Sequence, residues 1–145
     1  MKIFNDEIHL VTQKNICLYN LDASILDIIK ESGIRDGFVT INSMHTTTAL
    51  TINEHESRLL DDVRSFFHRL IPPADRYLHN DIHLRDCPED EPENAHSHIA
   101  SMLLGNSENV ILKGGQLQLG KWQSVMLVEL DGPRTRTVAV QVLGV

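Results

Sequence analysis

Val125-Met-Leu-Val128 sets four apolar residues in a row with no polar residue between them. A strand that faces water on one side alternates apolar with polar; one that does not must be covered on both faces. The covering expected here is helices on one face and another subunit on the other. The surrounding segments Val110–Leu112, Gln116–Leu119, Gln123–Glu129 and Thr135–Val142 are further short apolar runs. They are separated by Gly114-Gly115, Gly120 and Asp131-Gly-Pro133, which is hairpin and turn chemistry.

The rest of the chain alternates strands and helices. Residues 6–18 read as a strand pair or one long strand, and Phe38–Asn42 and Thr46–Ile52 as consecutive strands or one bulged strand. Asp22 offers an N-cap to a helix over 23–32, with Ile25, Ile28 and Ile29 as its stripe and Gly33 as its stop. A second helix should begin near Asn53–His55, because Leu59, Leu60, Val63, Phe66, Phe67 and Leu70 recur at helical spacing before Pro72-Pro73. Residues 74–91 read as a loop rich in Asp and His. Pro92, at a first-turn position, opens a third helix through Leu104, closed by Gly105, with Ala95, Ile99, Met102 and Leu103 as its apolar face. The expected fold is α+β: a mainly antiparallel mixed sheet packed with two to three helices, in a single domain over residues 1–145.

A net charge of −7 argues against a duplex nucleic-acid binder, which needs a basic surface to displace counterions. No run of 18 uncharged apolar residues is present, and acids stand where a secretory leader needs an apolar stretch. With only Cys17 and Cys87, far apart, the chain reads as cytoplasmic, with no membrane partner. Lys113, Lys121, Arg134 and Arg136 in the C-terminal third admit a phosphorylated small molecule.

Chemistry concentrates elsewhere. Met44-His-Thr-Thr-Thr-Ala-Leu-Thr-Ile-Asn-Glu54 is a β-branched run with an imidazole at its head and an amide-carboxylate pair at its tail. Of the eight histidines, four lie in Tyr77–His83 and Asn94–His98. Such clustering points to a metal ion, zinc first by ligand type, with Asp81 and Asp86 able to complete a shell. If Ala95–His98 is helical, His96 and His98 diverge by about 200° and only one can reach a common ion; if extended, both can.

Five motifs in order resemble the YjbQ family, formerly UPF0047 and later named secondary thiamine-phosphate synthase. They are His45–Glu54, Tyr77-x-His-Asn-Asp81, Ala95–Gly105, Leu119-Gly-x-Trp-Gln123 and Glu129-x-Asp-Gly-Pro-Arg134, and they span nearly the whole chain. Lys121 departs from the pattern, where the family often has a small residue. The resemblance implies a homotrimer and a metal-associated enzyme with weak thiamine-phosphate synthase activity, joining hydroxymethylpyrimidine diphosphate to thiazole phosphate with release of diphosphate. It carries over His45, His79 and His98 as the metal ligands, with zinc expected and magnesium or manganese admissible for turnover.

For that chemistry Arg134 is the candidate catalytic group on the leaving diphosphate, with Arg136 beside it in substrate binding; the alternative for both is pairing with Asp131 or Glu129. Glu54 is a candidate general base, or else a histidine-orienting or capping group. Asn53, Asp81, Trp122 and Gln123 are candidate substrate contacts, against capping, turn and interface roles. The alternative function is a metal-dependent small-ligand binding or sensor protein without turnover. No serine elbow, P-loop or dinucleotide fingerprint favours another enzyme class.

Overall fold

In the computed structural model, which describes residues 1–145, the strands divide between two sheets and every strand pairing is antiparallel. Strands β1 (Lys2–Val11), β3 (Gly37–Ser43), β5 (Ser107–Lys113), β6 (Gln116–Leu117) and β8 (Thr135–Gly144) form the larger sheet, in the order β1-β8-β3-β5-β6. Strands β2 (Cys17–Asn20), β4 (Thr48–Asn53) and β7 (Ser124–Glu129) form the smaller one, in the order β2-β7-β4. Each pair of neighbouring runs that the sequence leaves open as one strand or two is therefore a crossing between sheets.

The two sheets face each other across the main core, where Val39, Ile41, Leu50, Leu127, Val138 and Val140 are fully buried. Helix α1 (Asp22–Ser32) joins this core through Ile25, Ile28 and Ile29, one stripe of a 3.6-residue period. Gly33 ends α1 at φ 65°, a left-handed conformation that glycine adopts without a Cβ clash. Asp22 lies inside the first turn rather than capping it. Its amide is satisfied by Asn20, and its own carboxylate accepts from the amide of Val125.

Helices α2 (Ser57–Leu70) and α3 (Ala95–Leu104) cover the other face of the smaller sheet, over a second core that includes Ala49, Phe67, Ala100 and Val128. Strand β7 is thus buried on both faces as expected, but by the larger sheet of the same chain and not by another subunit. Helix α2 starts at a cap later than Asn53 or Glu54: the Glu56 carboxylate accepts from the amides of Arg58 and Leu59, both at 2.9 Å. The delay follows from pairing, because Asn53 is still in β4, opposite Ser124.

Helix α3 departs most from its expected form. Pro92 is not in its first turn, and the face against the sheet is Ala95, Ser97, Ala100 and Ser101, while Ile99, Met102 and Leu103 are exposed. Small residues let the helix axis approach β4 closely. The Ser97 and Ser101 hydroxyls donate to the carbonyls of Leu130 and Thr48, both at 2.6 Å, which satisfies them in a dry contact. Between α2 and α3 the chain forms two short 3-10 turns, Leu78–Asn80 and Ile82–Leu84. No helix is long and apolar enough to cross a membrane.

Candidate active-site cleft

Two crossings between the sheets run side by side. Met44–Thr47 takes the chain from β3 to β4, and Leu130–Arg134 takes it from β7 to β8. Gly132 is required in the second, since a Cβ there would collide with the carbonyl of Gln13. With the start of α3 these crossings enclose a cleft of about 310 Å³ whose walls include His45, Thr46, Asn94, His98, Arg134 and Arg136. A neighbouring recess of about 410 Å³ shares His45, Thr46 and His98 with it and extends to Ser101 and Met102.

Beneath the cleft lies a buried ion pair. Arg136 donates to Glu129 through Nε at 2.7 Å and Nη2 at 2.6 Å, and Nη2 also reaches the Thr47 hydroxyl at 3.0 Å. Glu129 accepts further from the Thr12 hydroxyl and the Asp131 amide, each at 2.7 Å. Burial raises the Glu129 carboxyl, but these hydrogen bonds, with that from Arg136 the largest, together outweigh it and hold the group below the usual carboxylate range. Arg134 leans on Asp131 in the same manner, with Nη2 to Oδ2 at 2.8 Å, and Asn94 donates to that same oxygen at 2.7 Å.

The pairings named as alternatives for both arginines are therefore present, yet each guanidinium keeps Nη1 outside them. The backbone amides of His45, Thr46 and Thr47 donate to no acceptor within the protein. Unused donors on a concave, partly buried surface suit an anion.

Two cleft histidines are biased toward the neutral form. Burial lowers His45, and the charge of Arg136 lowers it further against a smaller opposing effect of Glu129. His98 is lowered by burial first and then by His79, whose ring stands 4.8 Å away edge to face. The Nε2 of His45 accepts from the Thr137 amide at 2.8 Å, leaving Nδ1 as its remaining ligand atom. No group of three His, Cys, Asp or Glu side chains is close enough to hold an ion together. His96, on the same turn of α3, points away from His98 as helical geometry requires; burial lowers it, and its Nδ1 is buried without a partner.

The other sequence candidates lie elsewhere. Asp81 pairs with Arg76 at 2.7 Å and is held below its ordinary value mainly by that hydrogen bond. Trp122 is 64% exposed under the Lys121 ammonium, and Gln123 closes its own turn by accepting from the Gly120 amide. Asn53 and Glu54 stand at the opposite end of β4 from the cleft, at the mouth of a separate cavity. Conversely, Asn94 and the amides of 45–47 take part in the cleft without a sequence signal that ranks them, since backbone donors have no side-chain identity.

The family model described as UPF0047 protein YjbQ-like matches residues 6–145. The chain belongs to the YjbQ family. A UPF0047 protein of Methanothermobacter thermautotrophicus is 38% identical over 144 residues, covering 99% of this chain and 94% of the relative. YugU of Bacillus subtilis is 30% identical over 145 residues, covering 94% and 97%. Among solved structures, a YbjQ-like protein of unknown function from Sulfolobus solfataricus superposes with a TM-score of 0.89 at 33% identity, covering 99% of each chain. The likeness therefore extends through both sheets and all three helices, and the family itself is one of uncharacterised function.

The neutral histidines have a consequence for stability. His45, His96 and His98 all have folded values lowered mainly by burial, so their contribution is complete above the unfolded histidine value of about 6.5 and is lost as pH falls through the folded values. Melting temperature is expected to hold near pH 7.5 and to decline between pH 6.5 and 5, before carboxylates are protonated. Equal melting temperatures at pH 7.5 and 5 would contradict this burial-driven picture.

Proposed function

We propose that the cleft is the catalytic centre of a transferase acting on phosphorylated small molecules, with thiamine phosphate formation as its activity. The observation that carries this reading is the convergence of unused donors, Nη1 of Arg134 and Arg136 and the amides of His45–Thr47, beside two uncharged imidazoles. In the reaction, the thiazole nitrogen donates its lone pair to the pyrimidine methylene carbon. The carbon–oxygen bond breaks, and its electron pair leaves with the diphosphate. The catalytic demand is to stabilise charge on that leaving group, and preorganised donors do so without reorganising. Arg134 is the partly exposed donor and Arg136 the buried one. Glu54, at the far end of β4, takes no part in this step.

The direct test is incubation of purified protein with both phosphorylated substrates, following product by chromatography, beside calorimetric titration with inorganic diphosphate. Product formation supports the transferase. Diphosphate binding without product would replace it by a binding or sensor protein, and failure of both would remove the cleft as an anion site.

A divalent ion, zinc by ligand type, belongs to the same reading through His45, His79 and His98. As one chain stands, His79 and His98 are adjacent, but no three His, Cys, Asp or Glu side chains lie close enough to share an ion, so no step above runs through one. Elemental analysis of fresh protein tests the ion itself. Alanine at His79 or His98 is expected to deplete metal, whereas His83→Ala and His96→Ala retain it. Metal kept by His98→Ala and lost by His96→Ala would reverse the assignment.

The homotrimer is proposed on two uncovered surfaces. The outer face of the larger sheet exposes Phe38 and Ile111, and α2 and α3, on the far side of the fold, expose Phe66, Met102 and Leu103. A closed ring uses two different patches per subunit, which is what such a pair supplies. Light scattering is expected to give about three times 16.4 kDa; a monomer at micromolar concentration would sink it.

A further inference from the structure

Under α2 lies a cavity of about 160 Å³, unconnected with the donors of the cleft. Its walls are apolar: Leu18, Leu60, Val63, Phe67, Leu104 and Met126 bring α2, the end of α3 and the outer face of the smaller sheet together. Only Phe67 of α2 is fully buried, so the helix stands off the sheet where its remaining apolar stripe is half-covered. An apolar cavity of about 150 Å³ stays dry and admits a benzene ring.

The mouth is different in character. Glu54, Asn53 and Thr51 line it. The Glu54 carboxylate has no cationic partner and accepts no hydrogen bond; the sole bond in this pair runs from the Glu54 amide to the side-chain oxygen of Asn53. A carboxylate at the rim of an apolar hole selects for positive charge on whatever fills it, because a neutral occupant would remove water from the anion without replacing the lost hydrogen bonds.

We propose that this cavity binds a small organic cation, a ring-sized apolar body carrying an ammonium or amidinium group, with the ring against Val63 and Phe67 and the charge on Glu54. The Asn53 amide nitrogen, which donates to nothing within the protein, is free to meet an acceptor on the same ligand. The site is independent of the transferase reading, since it shares no residue with the cleft.

Benzylamine and its neutral counterpart benzyl alcohol are suitable probes, titrated into full-length protein by calorimetry with methyl spectra of Met126 as a local reporter. Benzylamine is expected to bind saturably and to shift the Met126 methyl, with benzyl alcohol weaker. Glu54→Gln is expected to weaken benzylamine about tenfold or more, the size of one charge-assisted hydrogen bond, and to leave benzyl alcohol unchanged. Val63→Phe, which fills the cavity from the half-buried side of α2, should remove both, and Arg134→Ala in the cleft should affect neither. The proposal is overturned by absence of saturable binding at millimolar benzylamine, by equal affinity for the two probes, by unchanged benzylamine affinity in Glu54→Gln, or by loss of binding in Arg134→Ala.

Discussion

Glu129→Ala is expected to lower the unfolding free energy by about 3–5 kcal/mol, the usual cost of breaking a buried ion pair by removing one partner. The side chains of Glu129 and Arg136 are 0% and 4% exposed, so neither charge is compensated by water. Removal of the carboxylate strands the guanidinium, leaves the Asp131 amide without its acceptor and leaves the Thr12 hydroxyl only the Arg134 carbonyl at 3.1 Å. The loss comes from the uncompensated charge and not from an intrinsic advantage of the pair over apolar groups. A double variant, Glu129→Leu with Arg136→Met, is therefore expected to lose much less than the sum of the single changes. Urea denaturation of all four proteins measures this coupling. A single-variant loss below about 1 kcal/mol would mean that the pair is hydrated in solution, contrary to the packing around it.

Arg134→Ala is expected to behave in the opposite way. Its partner interaction with Asp131 is partly exposed, the Arg134 side chain being 40% accessible, so stability should change by less than about 1 kcal/mol. Under the proposed chemistry its donor acts on charge that develops on the leaving diphosphate, and kcat/KM should fall about 10²–10³-fold. Arg134→Lys should recover only part, because a single ammonium does not reproduce a planar fork held by Asp131 with a second edge toward the ligand. The fall should lie mainly in kcat, since a donor aimed at the leaving group matters most in the transition state. A loss confined to KM would assign Arg134 to ground-state binding alone. Unchanged turnover would take the leaving group away from this end of the cleft.

The elements that were legible in the sequence are those whose evidence is local. Ile25, Ile28 and Ile29 announce α1 and Gly33 ends it, because helical spacing and a left-handed terminus are properties of adjacent residues. The lack of alternation in Val125–Val128 announces a strand buried on both faces. In α3 the apolar residues at helical spacing, Ala95, Ile99, Met102 and Leu103, point to a buried face of which the fold uses only Ala95. Close approach to β4 instead selected Ala95, Ser97, Ala100 and Ser101, and turned Met102 and Leu103 outward. The cap of α2 moved to Glu56 because β4 pairing holds the chain extended past Asn53.

The same division runs through the candidate site. By itself the sequence determined the family, the α+β class and the presence of Arg134 and Arg136 as groups suited to an anion, with His45 and His98 as candidate metal ligands, since motif order and residue chemistry are written in the chain. Only the tertiary structure decided that these four share one cleft, that Arg136 is buried against Glu129 while Arg134 is partly exposed beside Asp131, and that Asn53, Glu54, Asp81, Trp122 and Gln123 lie outside it. The reason is the crossing of the chain between two sheets at Met44–Thr47 and Leu130–Arg134. Which strands share a sheet depends on how distant apolar faces are buried against one another, so residues about 90 apart meet through packing that no local pattern records.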